Sequence, residues 1–317
     1  MTTTIHLDTD LGGDPDDAFA LALLLAWPGI EVTAITTNLD VDGERAGCVH
    51  HVLAMAGRHD IPVAAGAAAS MTTGARYPAT SGDRRHWPVR PPPRPSPQGA
   101  ARGLLADSIG AGALVVTIGA LTNLAELERA RPGALDGAHV MAMGGWLAPP
   151  RPGYPPCEPE RDWNVQCDTA AAEIVLASGA EVTLALLNVL VESHLCEADL
   201  PDLRATGPLG DLLADQAVAY AADYDRAALA AAHEALPADF LNFHWDPVTV
   251  AVAAGWPGAE LEEVELRAET VDGVLRLHRQ SVGGRPARVV TSIDAAGFGQ
   301  LWRDVLGAPG VRCDGTG

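Results

Sequence analysis

Short apolar runs alternate with helical stretches over more than half of this chain, and that alternation restricts the fold more than any other feature. Residues 5–7, 31–36, 62–65, 113–118, 140–143 and 182–187 read as buried strands. Residues 18–27, 43–57, 99–109, 123–130 and 169–177 read as the helices between them. Strands joined by crossover helices lie parallel, with helices covering both faces. The expectation is an α/β protein with an open, mostly parallel, Rossmann-like sheet. The tail has a different pattern. Residues 261–268, 273–279 and 287–292 read as strands joined by Asp-Gly and Gly-Gly turns, followed by a helix over 295–305, which predicts a small antiparallel C-terminal extension. Two long loops are expected, 72–97 with seven prolines and 146–161. We read residues 1–317 as one domain, without internal repeats.

Five carboxylates, Asp8, Asp10, Asp14, Asp16 and Asp17, fall where the first strand gives way to the first helix. The carboxyl end of a parallel sheet is where ligands bind. Helix capping accounts for Asp14, with Pro15 opening the helix, but not for Asp8 and Asp10. Clustered carboxylates repel one another, and a hard cation with oxygen ligands removes the conflict. The rest of the composition narrows the chemistry. The 317 residues carry a formal charge of -20 and no lysine, so every formal cation is arginine. A P-loop NTPase and any Schiff-base or pyridoxal phosphate enzyme are excluded. Nucleic acid is not an expected partner of so acidic a chain. No signal peptide or membrane span is evident, because the longest apolar run, 18–27, is too short to cross a bilayer. Cys48, Cys157, Cys167, Cys196 and Cys313 are scattered without CxxC spacing, which fits reduced thiols in a cytoplasm.

The acidic stretch resembles the N-terminal signature of the inosine–uridine-preferring nucleoside hydrolases, Asp-x-Asp-x-Gly followed by Asp-Asp-Ala, here with two extra residues before Asp16-Asp17-Ala18. Further landmarks follow in order: Ile35-Thr36-Thr37 before Asp40, the segment from Gly119 to Leu124, Met143-Gly144-Gly145, Asp162-Trp163-Asn164, and Trp245-Asp246-Pro247. They span about residues 5–255. The resemblance implies the nucleoside hydrolase fold and hydrolysis of the N-glycosidic bond of ribonucleosides.

By position, the resemblance implies Ca²⁺ held by the carboxylates of Asp10, Asp17 and Asp246 and by the Thr122 carbonyl. Six to eight oxygen ligands suit that ion, and a sugar diol and water complete the set. Asp10 is the implied general base for an attacking water, and the transition state is oxocarbenium-like. Asp16, Asp40, Met143, Asp162 and Asn164 are the implied substrate contacts. Asp40 stands where many members carry Asn, Asp162 replaces a Glu, and Asn164 reads equally as a cap before the helix near Asp168.

The leaving group is the point of departure. Many members place a His directly before the last calcium Asp; here that residue is Trp245, and His244 lies one position earlier. The purine-preferring branch has Trp there. An indole stacks on a protonated purine, so purine nucleosides are the expected substrates. Trp87 is a candidate second wall, or ordinary loop packing. His244 and His86 are candidate acids. Two other readings are kept. A nucleoside-hydrolase-like protein that binds calcium and ribosides with little turnover fits the missing His. A haloacid-dehalogenase-type phosphatase would use Asp8 as nucleophile and Asp10 as acid/base, but it normally needs a lysine and would repel its phosphate here. The family leads us to expect a homo-oligomer, dimer or tetramer.

Overall fold

The computed structural model describes residues 2–280 and 282–308. Eleven strands are present among them: β1 Thr3–Thr9, β2 Ile30–Thr37, β3 Val63–Ala65, β4 Leu114–Thr117, β5 His139–Met143, β6 Glu181–Ala185, β7 His194–Cys196, β8 Phe240–Phe243, β9 Ala259–Val271, β10 Val274–Gln280 and β11 Arg285–Ile293. Nine of them form one sheet in the order β10-β9-β11-β6-β5-β4-β1-β2-β3. From β1 the chain winds outward through β2 and β3, then returns to β4 on the other side of β1 and winds outward again through β5 and β6. The crevice between β1 and β4 is therefore the topological switch point, where α/β sheets bind ligands.

All pairings from β3 to β6 are parallel. Their apolar runs are buried on both faces, as such strands require: Ile5, Leu7, Ile35, Val115 and Val116 have no exposed surface. The first helix, Asp16–Ala26, is apolar on every side from Ala18 to Leu24 and is enclosed by the helices Trp245–Ala253 and Ala295–Leu306.

The C-terminal strands are antiparallel as expected, with Asp272 and Gly273 both at positive φ in the two-residue turn between β9 and β10. They are not a separate appendage, because β11 pairs in parallel with β6 and continues the main sheet. The strand expected over 182–187 ends at Ala185, and Leu187–Leu190 forms a turn of helix. The region after it, unassigned from sequence, holds the helices Leu200–Ala205, Pro208–Asp223 and Arg226–Ala232 and a small β7–β8 sheet. The 72–97 loop has neither helix nor strand. It is held by Thr80 on the Gly12 carbonyl and by Arg94 N–H on the Gly43 carbonyl (2.8 Å). Cys48, Cys157, Cys167 and Cys196 are free thiols; Cys313 lies outside the described residues.

His6, inside β1, is fully buried between Ser108 Oγ (2.8 Å) and Thr36 Oγ1 (2.9 Å), and burial lowers its pKa from 6.5 to about 3. The unfolded chain takes up a proton below pH 6.5 that the folded chain refuses until about pH 3. The contribution of His6 to stability is thus complete above pH 6.5 and is lost as pH falls toward 3. Its cost at pH 4 is on the order of 3 kcal/mol. Urea denaturation between pH 7 and 4 should show this slope, and His6→Gln should flatten it.

Candidate active site

The end of β1 and the turn after it place the acidic residues. Asp8 has no exposed surface and accepts from Thr36 Oγ1 (2.5 Å), Asn38 Nδ2 (3.0 Å) and Asn123 Nδ2 (2.7 Å). Burial still raises its pKa to about 6. With both oxygens occupied, Asp8 ties β1 to β2 and to the helix Thr122–Ala130, and it is no nucleophile. Asp10 lies beyond the strand. Its Oδ2 accepts the indole N–H of Trp163 (3.0 Å), and its backbone carbonyl accepts from Arg45 Nη1. Gly12, at φ 121°, then turns the chain where a Cβ would press on the Ala79 Cβ at 3.0 Å.

Asp16 and Asp17 occupy the first turn of one helix and Asp246 the first turn of another. These N-termini present partial positive charge to the carboxylates. Asp14 accepts the Asp16 N–H (3.2 Å) and the Asn242 side-chain amide (2.6 Å), so it serves the helix start as expected. Carboxylate oxygens of Asp16, Asp17 and Asp246 lie within 4.8 Å of one another, and all three residues are buried. Burial holds all three well above the usual carboxylate range, and neighbouring charges add to it: Asp14, Asp246 and Asp17 at Asp16, Asp10 and Asp14 at Asp17, and Asp17, Asp10 and Asp14 at Asp246. Asp10 is also raised by burial, with Arg45 and Trp163 pulling the other way. The donor set is all oxygen, desolvated and self-repelling, which fits a hard divalent cation. The set differs from the sequence expectation in two respects: Asp16, expected at the sugar, joins the carboxylates able to hold the ion, and Asp10, expected among the ligands, stands outside the group of three. Thr122 opens its helix, and its hydroxyl donates to Asp168 Oδ2 (2.7 Å).

The substrate contacts divide. Asp162 is 2 % exposed and accepts the Gly145 and Val165 N–H groups, one on each oxygen; its pKa is raised to about 6 by burial, against those bonds. Asn164 donates to the carbonyls of Ile118 (3.2 Å) and Met143 (3.3 Å), which keeps it in the crevice after β4 and β5. Asp40 does not fit the sugar role. Its oxygens accept the Arg45 N–H, the Ala46 N–H (both 2.9 Å) and the Thr37 hydroxyl (2.7 Å), so it caps the helix Glu44–Met55.

The two histidines and Trp87 also require correction. The His244 ring packs against Phe19 and Phe298 and, among the described residues, is hydrogen-bonded only to Ser193 (3.0 Å); burial lowers its pKa to about 3, so it is neutral and turned into the core. His86 is committed to Asp223 (2.9 Å), clamping the loop to the helix Pro208–Asp223. Asp83, His86 and Asp223 are close enough for a metal, but Arg85 pairs with both carboxylates and supplies the positive charge itself. Trp87, 2 % exposed, packs edge-on to His51 within the core and presents no free face to a base. Trp245 is half-buried with its ring 4.5 Å from Phe243. A cleft of about 1040 Å³ lies elsewhere, between β9, β11 and the helix Thr169–Ala177, and none of the clustered aspartates lines it.

A family model described as inosine-uridine preferring nucleoside hydrolase matches residues 5–300. The chain belongs to this nucleoside hydrolase family. Among curated relatives, the chain is 33 % identical over 229 residues to the pyrimidine-specific ribonucleoside hydrolase RihA of Salmonella paratyphi A, covering 68 % of this chain and 70 % of that protein. RihA of Salmonella enteritidis is 34 % identical over 227 residues, with the same coverage. Solved structures share the fold. A plant nucleoside hydrolase, PpNRh1, superposes with a TM-score of 0.79 at 22 % identity, covering 98 % of this chain and 100 % of its own. A purine-preferring ribonucleoside hydrolase from Gardnerella vaginalis gives 0.78 at 20 % identity, with 96 % and 98 % coverage. Among the described residues, no helix is long and apolar enough to cross a membrane.

Two residues in contact with Asp10, Arg45 and Trp163, are absent from the sequence expectations. Trp163 sits inside a landmark segment but was passed over between two polar neighbours. Arg45 carried a signal, as the first basic residue of the chain, just past an acidic run.

Proposed function

We propose that this nucleoside hydrolase cleaves the N-glycosidic bond of ribonucleosides to free base and ribose, with Ca²⁺ at the acidic cluster. The observation that carries this reading is the convergence of the buried Asp16, Asp17 and Asp246 carboxylates within 4.8 Å, beside Asp10 at the switch point. Asp10, Asp16, Asp17, Asp246 and the Thr122 carbonyl are the candidates to hold the ion. When bound, the cation supplies a Lewis acid that polarises water and anchors a sugar diol. Asp10 takes a proton from the attacking water. The water oxygen adds at C1′ as the bond to the base nitrogen breaks; the base leaves with a proton taken from solvent, and Asp10 returns the water's proton to solvent afterwards. Asp162 and Asn164 bind ribose hydroxyls, and a buried acceptor left without its hydroxyl penalises deoxyribose.

No imidazole takes the role of acid in this reading, since His244 is turned away. A base that accepts its own proton therefore suits the site, and the indoles of Trp245 and of Trp163, 49 % exposed, favour a cationic purine. We assign purine ribonucleosides on that ground. The printed names of the curated RihA relatives favour a pyrimidine preference instead. Steady-state kinetics on inosine, guanosine, uridine and cytidine, with and without chelator, separates the two. Inosine should give at least tenfold the kcat/KM of uridine; a higher value for uridine reverses the base assignment. Calorimetric ribose binding without sugar release from any nucleoside would favour the low-turnover binding protein.

A further inference from the structure

Arg45 is 3 % exposed, and the three hydrogen bonds of its guanidinium all go to backbone carbonyls of separate segments. Nε–H donates to Leu39 (3.2 Å), Nη1–H to Asp10 and Nη2–H to Tyr77 on the 72–97 loop (3.2 Å). Leu39 has φ 47°, a left-handed conformation rare for a branched side chain, and is fully buried with Ala120 and Cys167 beneath Tyr77. The Tyr77 ring meets Trp163 at 4.8 Å and 74°, and Trp163 N–H returns to Asp10 Oδ2 at 3.0 Å. The contacts close a circuit from Asp10 through Arg45, Tyr77 and Trp163 back to Asp10.

A counter-ion would put its hydrogen bonds on the carboxylate. Here Nη1 stands 3.9 Å from Asp10 Oδ2, and the planar fork spans three carbonyls instead. We infer that Arg45 is a positioning residue, bracing Asp10 and seating the loop over it through Tyr77 and Trp163. The inference rests on Asp10 as general base. Lysine keeps the charge but cannot reach all three carbonyls. R45K should remain folded by circular dichroism, lose ten- to a hundredfold in kcat with KM within threefold of the parent, and show red-shifted Trp163 emission, measured as the difference between each chain and its W163F counterpart. A folded R45K that keeps either the parent kcat or the parent emission overturns the inference. Should R45K fail to fold, Y77A decides: the same red shift and a three- to tenfold loss in kcat support the brace, and absence of either overturns it. If the parent turns over no nucleoside, the proposed function fails, and the emission change alone then decides the brace.

Discussion

Asp10→Asn lowers kcat by about 10²- to 10⁴-fold, the range expected when a positioned general base is removed. The substitution is nearly isosteric. The amide oxygen can still accept the Trp163 indole, and Arg45 holds the residue-10 backbone, which the side-chain change leaves in place. Folding should therefore be retained and KM should change little. The measurement is steady-state kinetics at saturating Ca²⁺, with circular dichroism as the folding control. A variant within threefold of the parent kcat would remove Asp10 from the role of base. Because Asp10 also stands among the ion's candidate ligands, saturating cation keeps a weakened site from imitating a lost base.

Asp246→Asn has an unusual signature: it stabilises the cation-free protein while abolishing activity. Asp246 is 3 % exposed and faces the charges of Asp17, Asp10 and Asp14. Two like charges at 4–5 Å repel by about 3–4 kcal/mol at the effective dielectric constant of protein sites. Removing one should raise the melting temperature in chelator by several degrees, since about 1 kcal/mol is worth 2–4 °C in a chain somewhat smaller than this one. Added Ca²⁺ should then raise the parent's melting temperature, by about 2.7 kcal/mol of stability at a hundredfold excess over Kd, and leave the variant almost unmoved. Differential scanning fluorimetry with and without chelator reads both effects. A variant that melts below the parent in chelator would mean that Asp246 is held by protein donors rather than awaiting an ion.

Sequence and structure agree best where local pattern and long-range packing require the same thing. The β1 to β6 strands could be read because a parallel strand is apolar on both faces, and the crowded carboxylates after β1 because they stand at a strand end; Asp246, far along the chain, joined them only through the family resemblance. Asp40 could not be read correctly. An aspartate near an active site and an aspartate capping a helix carry the same letter, and only the Arg45 and Ala46 amides distinguish them. His244 was misplaced for a related reason: one position along a chain turns the side chain to another face, here toward Phe19 and Phe298. The place of Arg45 just past an acidic run marks it in the sequence, but its role does not show there, because its guanidinium partners are backbone carbonyls, which no sequence displays. The 188–243 region was opaque because its helices bury only part of their surface and its strands are too short to establish a period.

The strand at the switch point, β1, is the first to be made, yet β6 has no neighbour on its outer side until β11 arrives to pair Thr183 with Arg288 and Leu184 with Val289. During synthesis, β6 is an open edge able to recruit any passing strand. Asp16 and Asp17 emerge from the ribosome long before Asp246 completes their group. On the proposed reading, a cation held there would not assist the early stages and would act as a late staple, rewarding only a chain whose two ends have already met. Truncation after β6 should leave a fragment that aggregates and that calcium does not rescue.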